Sequence, residues 1–120
     1  MQYIKYQQGD VVLLQVSEEE FKKADLNYQI SQHDTRAVLA EGEETGHYHA
    51  VYLEDMPKGA EVTLCKHYDY SRENAGIIVK GKVDLRHEEH NTITLPAGYY
   101  LQNRVKEYDH MTGRTRGVID

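Results

Sequence analysis

Residues 75–108, AGIIVKGKVDLRHEEHNTITLPAGYYLQNRVKEY, decide the fold. Three strand-like runs, Ala75–Leu85, Thr92–Leu95 and Tyr99–Tyr108, follow one another at short spacing, the last two divided by the turn residues Pro96-Ala97-Gly98. The same grammar extends outward. Asp10–Val16, Leu26–Ser31, Arg36–Ala40, His47–Leu53, Glu61–Tyr68 and Arg114–Ile119 read as further strands. Glu41-Gly42, Pro57-Lys58-Gly59 and Thr112-Gly113 punctuate them. Ser17–Asp25 is the one good helix candidate. Ser17 stands as N-cap with Glu20 three residues on, and Phe21 and Ala24 lie on its inner side. The pattern predicts a mainly β, small single domain spanning residues 1–120: a β-barrel or sandwich of at least seven strands with one short helix near residues 17–25. Alternation in Tyr99–Tyr108 puts Tyr99, Leu101 and Val105 inward and Tyr100, Gln102, Arg104 and Lys106 toward solvent.

A chain of 120 residues can bury a core without staples. The single cysteine, Cys65, excludes an internal disulfide framework and points to a reducing compartment, so the expected location is cytoplasmic. Residues 1–16 show no basic region followed by a long apolar run, and no apolar stretch reaches membrane-helix length. The formal net charge of −6 disfavours nucleic-acid phosphates as partners. No glycine-rich phosphate loop or serine nucleophile motif is present. The expected partners are a small-molecule ligand, with neither nucleic acid nor membrane, and homo-oligomerisation stays open.

Four of the seven histidines fall in two close pairs. In His47-Tyr48-His49 the two imidazoles share a strand face with Val51 and Leu53, which identify that face as the inner one. Two imidazoles at the start of a strand are placed to chelate one ion, and burying them without a shared partner is costly. The alternative is a pair of half-solvated rings at a strand end. In His87-Glu88-Glu89-His90 the rings converge only if the segment turns, with Glu88 or Glu89 then offering an oxygen ligand or a base. His67 shares parity with Cys65, but a buried strand cysteine beside a solvated histidine is the plainer reading, and His33 and His110 sit in polar, turn-like contexts.

Around His47 the chain resembles the first motif of the cupin family: glycine, five residues, HxH, three or four residues, glutamate, six residues, glycine. Gly42, His47, His49, Glu54 and Gly59 follow that order, with four residues in each long gap. The resemblance implies a β-barrel in which His47, His49 and Glu54 ligate a metal. Glu54 has the opposite strand parity to His49, so it reaches the same ion only if the strand bulges or ends between them. The family's second motif is matched at Pro96 and Gly98, but its histidine and asparagine positions hold Leu101 and Val105. A later ligand must therefore come from His87 or His90. The segments TGHYH, HEEHNTITLPAGYY and EYD also resemble a set of small bacterial and phage proteins, a likeness that implies no activity.

The expected metal set is His47, His49, His87, His90 and Glu54, around one divalent ion of zinc, iron or nickel. Function then divides into a metal-dependent enzyme on a small molecule, a non-catalytic metal or small-molecule binding module, and an interaction or structural protein (a phage or accessory component) whose histidines bind no metal.

Overall fold

The chain runs β1 (Ile4–Gln8), β2 (Val11–Val16), α1 (Glu18–Lys23), β3 (Asn27–Gln29), β4 (Arg36–Glu41), β5 (Tyr48–Tyr52), a 3-10 turn (Leu53–Asp55), β6 (Glu61–Lys66), β7 (Gly76–Lys80), β8 (Val83–Leu85), β9 (Ile93–Leu95), β10 (Gly98–Arg104), β11 (Lys106–Asp109) and β12 (Arg114–Gly117). The computed structural model describes residues 3–29, 35–41, 46–67, 74–104, 106–109 and 114–117, with the side chains of Gln29 and of the last two stretches excepted. Val105 lies outside the described residues, as do His33 and His110.

Six strands form one antiparallel sheet in the order β1-β2-β10-β7-β6-β3. The hairpins β4–β5 and β8–β9 lie over one face of it and are joined to each other through Ala50 and Arg86, whose backbones exchange bonds of 3.0 and 2.8 Å. Between the layers Val11, Leu13, Leu39, Val51, Ile77, Leu85 and Tyr100 form the main core. The opposite face of the sheet packs under α1, where Phe21, Leu26, Cys65 and Ala75 make a second cluster. The domain is thus a mainly β sandwich with one short helix. Among the described residues β1 and β3 are open edges of the large sheet, so it does not close into the barrel that the cupin resemblance implies.

Local chemistry explains most of the elements. Ser17 Oγ accepts from the Glu20 backbone N–H at 3.1 Å, giving the N-cap half of the capping box. The reciprocal half does not form, because the Glu20 carboxylate accepts the Tyr3 hydroxyl at 2.6 Å. Gly9 (φ +57°) and Gly81 (φ +80°) provide the left-handed positions at two strand junctions. The second of them divides the expected Ala75–Leu85 run into β7 and β8.

The inward and outward assignment for β10 is corrected. Tyr100 is fully buried in the main core, while Tyr99 and Leu101 pack, half-buried, against the Phe21 cluster. A strand covered on both faces carries no readable polar side, so alternation there cannot select the core face. Gln102 is also half-buried, donating to Leu39 O at 2.9 Å and accepting from Asn74 Nδ2 at 2.6 Å.

Gly76 sits where β7 passes β10 beneath the helix. A β-carbon there would lie 2.8 Å from the Tyr100 carbonyl oxygen and 2.9 Å from both Phe21 Cε2 and Leu26 Cδ1. The carbonyl belongs to the sheet and cannot move away alone. Gly76→Ala is therefore expected to cost about 1–3 kcal/mol by overpacking, read as a fall in urea midpoint. An unchanged midpoint would contradict this close packing of helix on sheet.

Candidate metal centre

The Ala50–Arg86 bridge brings the start of β5 against the connection between β8 and β9. Three further bonds fix that connection: the Glu88 carboxylate accepts the Tyr48 backbone N–H at 2.9 Å, and Gln8 Nε2 donates to Leu85 O at 2.8 Å and Asn91 O at 2.9 Å. The consequence is that all four paired histidines meet. Ring centroids lie 4.3 Å apart for His49 and His87, 4.5 Å for His87 and His90, 5.8 Å for His47 and His87, and 6.1 Å for His49 and His90.

Strand parity works as expected for the first pair. His49 and Val51 are buried, and His47, one residue ahead of β5, turns its ring to the same cluster with its side chain 24 % exposed. Leu53 departs from the pattern. β5 ends at Tyr52, the 3-10 turn begins, and Leu53 is exposed. The same turn carries Glu54 out of the site. Its carboxylate lies 3.4 Å from Arg86 Nη1, which donates to Asp55 at 2.9 Å. Glu54 is therefore corrected from histidine partner to arginine partner. The carboxylate that joins the histidines is Glu88: donor atoms of His47, His87 and Glu88 all lie within 4.8 Å of one another, close enough for one ion.

His49 has a defined tautomer. Both Gln8 amide hydrogens are committed to carbonyls, so Gln8 Oε1 must accept, and the group facing it at 2.9 Å is His49 Nδ1. Nδ1 therefore carries the hydrogen. Nε2 points to Asp10 Oδ1 at 3.4 Å, and Asp10 is itself buried. Arg104 Nε lies 3.4 Å from Asp10 Oδ2, and the Arg104 guanidinium donates to the Glu41 carbonyl. Burial pushes the His49 imidazole down to about 4, helped by His87 and His90 and opposed by Asp10. Burial and the neighbouring His90 lower His87 as well. For Glu88 burial acts upward, but the backbone N–H groups of Tyr48 and Glu88 and the adjacent histidines outweigh it and hold the carboxyl below its usual range. The imidazoles of His49 and His87 are thus kept neutral, the form that ligates. His87 Nδ1 accepts the Glu89 backbone N–H at 3.0 Å, so ligation through that nitrogen exchanges a bond worth about 1 kcal/mol for the metal.

Gln8, Asp10 and Arg104 escaped the sequence reading. Gly9-Asp10 is a two-residue hairpin turn between β1 and β2, and Asp10 reads in sequence as ordinary turn chemistry. Cys65 and His67 stay apart from the site: the thiol is buried and pushed up to about 11, and His67 is exposed.

Fold and site together define a β-sandwich domain with a half-buried cluster of histidines and carboxylates between its layers at one end of β5. Residues 7–105 match the family model described as a domain of unknown function (DUF8820), and the chain belongs to that family. The matched span contains every residue of the cluster. No curated protein and no solved structure matches the chain. No helix among the described residues is long and apolar enough to cross a membrane.

Proposed function

We propose that this domain binds a divalent transition-metal ion through His47, His87 and Glu88, with His49 and His90 completing the polar surround, and that the bound ion serves a small-molecule ligand or substrate. The observation that carries the reading is the gathering of four histidines from two separate hairpins into ring contact. Two nitrogens and one carboxylate oxygen suit zinc, iron or nickel. Glu88 takes the place that the cupin resemblance gives to Glu54. His47 and His87 are half-buried and Glu88 is exposed, so three protein donors leave a side open to solvent. An ion held that way acidifies a bound water or polarises a ligand oxygen, the basis of metal-assisted chemistry on a small molecule. Glu89, with Oε1 at 3.7 Å from His47 Nδ1, is the nearby carboxylate that could take a proton. The single cysteine fits a cytoplasmic setting for such a site.

The test is a titration of metal-free wild type beside His47→Ala/His49→Ala with zinc, iron(II) and nickel. Wild type is expected to bind at least one of these ions more than about ten-fold tighter than the double variant. Equal, weak binding by both, from a wild type that purifies without metal, would make the cluster a packing feature of an interaction domain.

A further inference from the structure

We propose that Gln8 is the positioning residue of the metal centre: its amide holds the segment that carries His87 and Glu88 in register with the strand that follows His47. This rests on the metal-binding reading above. Gln8 is the last residue of β1, paired with Val11 beside the Gly9-Asp10 turn, and is 2 % exposed. Its side chain therefore starts from a fixed point of the large sheet. Nε2 donates to Leu85 O at 2.8 Å and to Asn91 O at 2.9 Å. Those carbonyls stand immediately before and immediately after residues 86–90, Arg86-His87-Glu88-Glu89-His90. Oε1 accepts from His49 Nδ1 at 2.9 Å. One buried amide thus ties both ends of the His87–His90 segment and the inner histidine of β5 to a single point.

The segment has little of its own to hold it there. Past Arg86, whose backbone pairs with Ala50, no strand or helix spans it, and Glu88 and Glu89 are exposed. No ladder of backbone bonds decides which way its imidazoles face. The Tyr48 N–H holds Glu88 from the β5 side, and Gln8 holds the segment from the β1 side. Water cannot readily replace bonds to a buried amide, so their loss falls on the geometry of the segment.

Gln8 also acts through His49. With its Nδ1–H on Gln8, the His49 ring is held in one orientation, and His87 packs against it with centroids 4.3 Å apart and planes tilted by 38°. His90 packs next to His87 at 4.5 Å and sits over Gly9, where a β-carbon would come within 2.6 Å of Nε2. The β1–β2 turn is therefore the floor of the site: Gln8 sets the segment and bare Gly9 admits His90. The convergence of His47, His87 and Glu88 within 4.8 Å spans two hairpins, and Gln8 is bonded to both of them. In a site with three protein donors the bonds behind the ligands set their spacing.

The experiment is a cobalt(II) titration followed by the visible d–d bands, with zinc competition for affinity, on wild type, Gln8→Met and Gly76→Ala. Gln8→Met keeps the length of the side chain and removes all three bonds. It is expected to weaken zinc by about ten- to a hundred-fold and to shift the d–d bands, because the donors no longer meet in one geometry. Gly76→Ala crowds the helix face of the sheet and should leave affinity and bands as in wild type. If Gln8→Met does not fold, hydrogen exchange on wild type decides. Coupling is reciprocal, so zinc should slow exchange of the Gln8 side-chain amide protons by about ten-fold or more. Unaltered affinity and bands in Gln8→Met, or Gln8 amide exchange that zinc leaves unchanged, would overturn the positioning role while leaving metal binding intact. An equal loss in Gly76→Ala would also overturn it, since stability alone would then explain the effect. A wild type that binds neither cobalt nor zinc would overturn both readings.

Discussion

Tyr100→Ala is expected to lower stability by about 3–5 kcal/mol, the range for losing a large buried aromatic. The ring is fully buried at the centre of the main core, where strands of both layers meet. Tyr6 packs edge-on against it at 5.8 Å, and its hydroxyl donates to Pro96 O at the turn before β10. Burial raises the phenol above its ordinary range, so it stays a neutral donor. Truncation removes both a large apolar area and that bond. Tyr100→Phe isolates the second part: the Pro96 carbonyl loses its donor, at about 1 kcal/mol. Urea unfolding with an unchanged m-value checks both substitutions. The alternation read from sequence predicts the reverse ranking, with Tyr100 a near-neutral surface position. A midpoint shift equivalent to less than about 0.5 kcal/mol for Tyr100→Ala would restore that reading and undo the two-faced packing of β10.

The strands, the turns between them and the capped helix were legible because each has a local cause: Ser17 and Glu20 at the helix start, or Pro57 O accepting the Ala60 N–H around Gly59. β1 was not legible. Ile4-Lys5-Tyr6-Gln7-Gln8 is largely polar because it lies at the sheet edge, and its signal was the Gly9-Asp10 hairpin dipeptide rather than its own composition. The face of β10 was not legible either. Its second covering layer is a six-residue helix far away in sequence, and no pattern within the strand records it.

For the site, the parity of His47 and His49 was readable from the strand alone. The meeting of His87 and His90 with them was readable only as a possibility, because it depends on the Ala50–Arg86 pairing and on the Tyr48 N–H to Glu88 bond. Glu54 misled because strand geometry was extended one residue past its end at Tyr52. Asp10 stayed hidden because a buried carboxylate and a solvated turn aspartate look identical in sequence. Its burial comes from His49 and Arg104, both distant in the chain.

Acidification is expected to destabilise the metal-free protein by on the order of 3 kcal/mol between about pH 6.5 and pH 4. The folded state holds His49 at about 4, against the ordinary value of 6.5. Between these values the unfolded chain binds a proton that the folded one refuses, so lowering the pH draws the equilibrium toward unfolding. The stabilisation is fully present above about pH 6.5 and is lost as pH falls through the window. His87 is shifted in the same direction and adds to the slope. The groups facing His49 set the balance. His87, His90 and Arg104 oppose a charge on it, Asp10 favours one, and burial decides in favour of the neutral ring. His49→Asn keeps a donor near Gln8 Oε1 but removes the titrating group. Urea midpoints at several pH values from 7.5 to 4 should therefore fall steeply for wild type and less steeply for the variant. Carboxylates elsewhere contribute equally to both curves, so the difference between the slopes belongs to residue 49. Parallel curves would mean that His49 titrates alike in the folded and unfolded chains, and a wild-type curve shallower than the variant's would mean that it is held protonated in the folded protein. In that second case the gap to Asp10 holds a proton in a buried ion pair.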